Sequence, residues 1–141
     1  MYIHQNTDTK KKYTLGKEER VKSRKLIDLL FTSGHSFLIF PIRVHYLFLP
    51  GQQSVKAGFT ASTRNFKKAV DRNRVKRLMR EAYRLQLGEI KETVLKKQKH
   101  LLLFFVYTGK EFADFVVVKE KIKAALQKLT ELTNENNSAN T

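Results

Sequence analysis

Between Ala69 and Arg84 the sequence reads AVDRNRVKRLMREAYR, and two stripes share one helical period there. At ~100° per residue, Val75, Leu78, Met79, Ala82, Tyr83 and Leu85 fall on one arc of a helix. Asn73, Lys76, Arg77, Arg80 and Arg84 fall on a neighbouring arc, with Arg72 and Arg74 near its boundaries. One stripe must be buried and the other cannot be, so the helix has to lie on a core with a row of cations turned outward. From Arg64 to Arg84 only Asp71 and Glu81 are acidic, against nine bases. Local ion pairing therefore cannot neutralise the row, whereas a solvated helix face normally mixes signs. A partner with regularly spaced negative charge can, and phosphates suit guanidinium groups because the fork meets two oxygens at once. A membrane-lying helix would need its apolar arc free, and here that arc is required for a core.

The rest of the chain supplies that core in alternating elements. SRKLIDLLFTSG predicts a short helix with Ser23 as its cap, Leu26, Ile27, Leu30 and Phe31 as its apolar face, and Gly34 as its end. FPIRVHYLFLP predicts a strand with Ile42, Val44, Tyr46 and Phe48 on one face and Arg43 and His45 on the other. QSVKAGFTAS is a second strand after a turn at Pro50–Gly51, and HLLLFFVYT suits a strand buried on both faces. VVVKEKIKAALQKLTEL is a last amphipathic helix with Val118, Ile122, Ala125, Leu126 and Leu129 inward. Helix, two or three strands, helix, strand, helix gives an α+β fold, with helices packed on a mostly antiparallel sheet. Residues 1–20 are expected to form a basic flexible arm, 21–133 a single domain, and the Asn-rich residues 134–141 a disordered tail.

A net charge of +15 over 141 residues sets up a field that draws polyanions. With no cysteine there are no disulfides and no thiolate zinc sites. No apolar run reaches the length of a spanning helix and the N-terminal stretch lacks the apolar segment of a signal peptide, so a cytoplasmic protein without a membrane partner is expected. His4, His35, His45 and His100 share no metal-ligand spacing, and Asp71 and Glu81 lie ten residues apart, so neither catalytic groups nor a metal site are expected. The glycines form no nucleotide-binding run, which leaves no small-molecule substrate in view. A structural ribosomal or general RNA-packaging protein remains open on composition alone.

The stretch AVDRNRVKRLMREAYR resembles the signature of the bacterial ribonuclease P protein family, through Arg72, Asn73, Arg74, Lys76, Arg77, Arg80 and Glu81. LIDLLFTSGHSF before a strand, AGFTAS before the signature and a late strand and helix are similar to the family's order over roughly residues 20 to 132. The resemblance implies a four-stranded two-layer sandwich, like that of some ribosomal proteins, with a left-handed βαβ crossover. It implies the non-catalytic protein component of a ribonucleoprotein endonuclease, whose RNA removes the 5′ leader of precursor tRNA. The cofactor is then magnesium, held mainly by the RNA, and the partners are ribonuclease P RNA and precursor tRNA. Carried over, the RNA-subunit contacts are Arg64, Lys67, Lys68, Arg72, Asn73, Arg74, Lys76, Arg77, Arg80 and Arg84. The leader contacts are Phe31, Ile27, Arg43 and His45, with ordinary core packing as the alternative for Phe31 and Ile27. Ile27 stands where the family favours an aromatic, and Thr63 where it favours a lysine.

Overall fold

The computed structural model describes residues 20–21, 23–51 and 53–139. The expected arm therefore lies outside the described residues, apart from Arg20. The element order is α1 (Arg24–Ser33), β1 (His35–Ile39), β2 (Ile42–Leu49), β3 (Ser54–Ala61), α2 (Ala69–Gln86), α3 (Gly88–Lys96), β4 (His100–Tyr107) and α4 (Phe115–Ala139). Among the described residues no helix is long and apolar enough to cross a membrane.

The ends of α1 are set by short-range chemistry. The Ser23 hydroxyl accepts from the Leu26 amide at 3.4 Å, and the Gly34 amide donates to the Leu30 carbonyl at 3.0 Å. A Cβ at Gly34 would meet the Leu30 and Tyr46 carbonyl oxygens at sub-van-der-Waals distance, so the chain turns into β1 only without a side chain there. The four strands form one sheet in the order β1-β2-β4-β3. The β1–β2 and β2–β4 pairs are antiparallel. β3 and β4 are parallel, and such a pair needs a long crossover, here supplied by α2 and α3.

The sheet separates two apolar clusters. On one face Ile42, Val44, Val55, Ala57, Leu101, Leu103, Phe105 and Tyr107 pack against α2, α3 and α4. Val118, Ile122, Ala125, Leu126 and Leu129 all face this layer, as the helical period of α4 requires. On the other face α1 alone forms a partial third layer, with Leu30 and Val21 packed on Leu102. β4 therefore buries alternate residues against different helices, which is why its sequence is apolar throughout.

Three sequence expectations shift. The buried positions of α2 are Val75, Met79, Ala82 and Tyr83, and Leu85 is 49% exposed. The inward arc is centred between Val75 and Met79, and Leu85 lies ~100° from that centre, beyond the rim. Helix α3, absent from the sequence reading, follows α2 through Leu87 and adds Ile90 and Val94 to the core. Helix α4 runs through Ala139, past the expected domain end at residue 133, and Thr133 is buried with its hydroxyl donating to the Leu129 carbonyl at 2.7 Å.

Candidate nucleic-acid interface

Helix α2 places its cations by period and by a few specific contacts. Asn73, Arg74 and Arg77 are exposed, and Lys76, Arg80 and Arg84 are half-buried along the same side. Arg64, Lys67 and Lys68 are exposed in the loop that leads into the helix. That loop ends at the positive pole of the helix, which adds to their field.

Arg72 behaves differently from its neighbours. It falls ~60° from Val75, on the inward arc, and its guanidinium Nη1 donates to the Phe66 and Lys67 carbonyls, each at 2.8 Å. It thereby clamps the Lys67–Lys68 loop onto the first turn of α2. Arg74 lies 4.4 Å from the Phe112 ring centroid, and Arg80 lies 5.9 Å from that of Phe59. These rings hold the long side chains without removing their charge. Burial, then the nearby charges of Arg20 and Arg77, pull Arg80 below the ordinary guanidinium range. Arg20 thus extends the cationic patch from the far side of β3, where it bridges to Ala57. At the C-terminal end Glu81 pairs with Arg84, whose hydrogen bond lowers the Glu81 carboxyl below its usual value. From Arg72 to Arg80 the helix carries no acid.

The opposite sheet face carries an aromatic cluster. The Phe31 ring of α1 lies 4.4 Å from His45 and 5.3 Å from Phe104, centroid to centroid. Phe31 is 43% exposed, so part of its ring is open to solvent. Arg43 Nη1 reaches the Ser36 hydroxyl at 3.4 Å on the same face. Ile27 is half-buried and packs with Leu26 against the Val21–Leu30–Leu102 cluster. Phe104 escaped the sequence reading because an apolar run gives no hint of which ring remains reachable. Its position depends on Gly58, its register partner on β3, since a Cβ at Gly58 would overlap the Phe104 ring. Phe112 escaped because its link to Arg74 spans 38 positions of sequence.

Burial, then the charge of Arg43, lowers the pKa of His45 below 6.5; burial, then Lys56, does the same to His100. A base whose folded pKa is depressed binds fewer protons folded than unfolded, so stability is fully present above about pH 6.5 and falls as pH drops below it. Thermal melts from pH 7.5 to 5.5 are expected to show a falling Tm. The double variant His45→Gln/His100→Gln should flatten that slope, and an unchanged slope would remove these two groups as its cause.

Fold and surface together define a basic α+β protein with a cationic helix on one side of its sheet and a partly exposed aromatic cluster on the other. Comparison with known proteins narrows this. A family model described as Ribonuclease P matches residues 15–130. The "Ribonuclease P protein component" of Porphyromonas gingivalis is 32% identical over 116 residues, covering 81% of this chain and 85% of that protein. The protein of the same name from Chlorobium phaeobacteroides is 32% identical over 140 residues, covering 85% and 92%. Among solved structures, the RNase P protein from Thermotoga maritima superposes with a TM-score of 0.63 at 26% identity, covering 78% of this chain and 96% of that one. The Staphylococcus aureus RNase P protein shares the fold with a TM-score of 0.59 at 17% identity, covering 77% and 93%. The chain belongs to the ribonuclease P protein family.

Proposed function

We propose that this protein is the protein component of ribonuclease P, binding the catalytic RNA subunit and the 5′ leader of precursor tRNA. The observation that carries the proposal is the one-sided, largely uncompensated ridge on α2, in a chain of this family. Arg74, Lys76, Arg77, Arg80 and Arg84, with Asn73, meet phosphates of the RNA subunit; Arg64, Lys67 and Lys68 extend the contact along the loop that Arg72 holds in place. Neutralising phosphates that repel one another in a compact RNA lowers the magnesium that RNA needs and releases counterions, so binding falls steeply with salt.

The aromatic cluster takes the single-stranded leader. Phe31 offers a stacking ring, Phe104 and His45 lie beside it, and Arg43 supplies a cation for the leader backbone. Ile27 contributes through the packing that sets the angle of α1. Because ridge and cluster lie on opposite sheet faces, the protein can bridge the two RNAs without their phosphates competing for one surface. Cleavage itself belongs to the RNA, and magnesium is held there. The setting is the cytoplasm, where tRNA precursors are processed.

Reconstitution with a ribonuclease P RNA and a precursor tRNA tests this. At limiting magnesium the protein should restore leader removal, and no stimulation there would overturn the proposal. Phe31→Ala should lower the preference for precursor over mature tRNA about ten-fold, leaving affinity for the RNA subunit unchanged.

A further inference from the structure

An open cavity of about 690 Å³ lies at the end of the sheet, apart from both surfaces above. Phe40 and Pro41 of the β1–β2 turn, Gly109 after β4 and Val117 of α4 line it. Lys110 and Lys121 line it as well. Phe40 is 64% exposed and Val117 38% exposed, so the cavity presents apolar surface to solvent.

The cavity is held in shape by polar anchors. The Thr108 amide and hydroxyl both donate to the Pro41 carbonyl, at 2.7 and 3.0 Å, and the Tyr107 hydroxyl donates to the Glu111 carbonyl at 2.7 Å. Asn65, from the loop before the basic helix, donates to the Thr108 carbonyl at 2.9 Å. The same wall faces the ridge: Tyr107 lies 5.9 Å from Phe66, Phe66 lies 5.1 Å from Phe112, and Phe112 carries Arg74. Cavity and ridge are thus two sides of one aromatic partition.

We infer that this cavity is a second contact for the RNA that the ridge binds, receiving one unpaired nucleotide whose base stacks on Phe40 while Lys110 and Lys121 meet the flanking phosphates. The inference rests on the proposed RNA-binding role and deepens it. A base supplies a flat apolar face, which suits Phe40 and Val117, on a chain carrying negative charge, which suits the lysines. Arg74 connects to the cavity lining through the Phe112, Phe66 and Tyr107 rings, which puts both within reach of one RNA. One carboxylate, Glu111, against two lysines leaves the lining net positive.

The test uses the full chain and ribonuclease P RNA. Dimethyl sulfate reactivity of the RNA is read with and without protein, alongside the dissociation constant at fixed salt. Wild-type protein should protect at least one unpaired base. Phe40→Ala should re-expose that base and weaken binding about ten-fold, with the protection along the ridge retained. Lys110→Ala/Lys121→Ala, whose side chains also line the cavity, keeps the test valid if Phe40→Ala alters folding, and should lower the salt slope of binding by about 1 to 2. Unchanged reactivity and unchanged affinity in both variants would overturn the inference. So would sedimentation showing that Phe40→Ala only separates two copies of the chain. Absence of any RNA binding by wild-type protein would instead strike the proposed function, a result the ridge variants below report independently.

Discussion

Replacing Arg74, Lys76 and Arg77 together by alanine is expected to weaken binding to ribonuclease P RNA by about 10²–10³-fold at fixed salt. Each loses a charge-assisted contact worth about 1–1.5 kcal/mol. The slope of log affinity against log salt should fall by about 2 to 3, one phosphate per cation. Folding should survive, because none of the three belongs to the inward arc of Val75, Met79, Ala82 and Tyr83, and alanine favours helix. Relief of like-charge repulsion should roughly offset the lost Arg74–Phe112 contact, leaving the melting temperature close to that of wild type. Arg72 is kept out of this set because its guanidinium holds the Phe66 and Lys67 carbonyls. Arg72→Ala should cost stability as well as affinity, so a triple variant that melts like wild type separates binding from folding. An unchanged dissociation constant in that variant would dismiss the ridge as the RNA contact.

The second large effect concerns Gly58. Gly58→Val is expected to lower the melting temperature by about 5–15 °C, from an overpacking cost of ~1–3 kcal/mol. The added Cβ overlaps the Phe104 ring, which must leave its place beside Phe31. Precursor preference should fall with it, because the cluster beside Phe31 loses a ring. Adding Phe104→Ala should recover part of the stability by removing the clash partner, and none of the preference. Calorimetry and leader-dependent cleavage read the two effects separately. A Gly58→Val protein that melts like wild type would show that the ring does not depend on the missing side chain.

Much of this architecture is visible in the sequence where burial is periodic and local. The Ser23 cap, the alternation from Ile42 to Phe48 and the inward face of α4 each follow from spacing alone. β1 is harder to see, because as an edge strand it buries little and its residues show no clean alternation. α3 merges with α2 in the sequence, since only the turn at Leu87 separates them. The site divides in the same way. The helical period gathers Asn73, Lys76, Arg77, Arg80 and Arg84, but the inward turn of Arg72 depends on two loop carbonyls that no pattern encodes. Phe112, Phe104 and Arg20 reach their places only through tertiary packing, and a single sequence carries no trace of that.

β4 serves both faces of the sheet through one alternation. Its neighbours Leu103 and Phe104 face opposite layers, one toward α2 and α4, the other toward α1. Strand side chains alternate strictly, so deleting or inserting one residue within His100–Tyr107 would turn every later side chain over. Core aliphatics would emerge beside Phe31, and Phe104 would be driven into the packed interior. Length changes in this strand therefore disturb the packing beneath α2 and the aromatic cluster beside Phe31 at once, whereas an added residue at the exposed Pro50–Gly51 corner leaves the alternation of every strand intact.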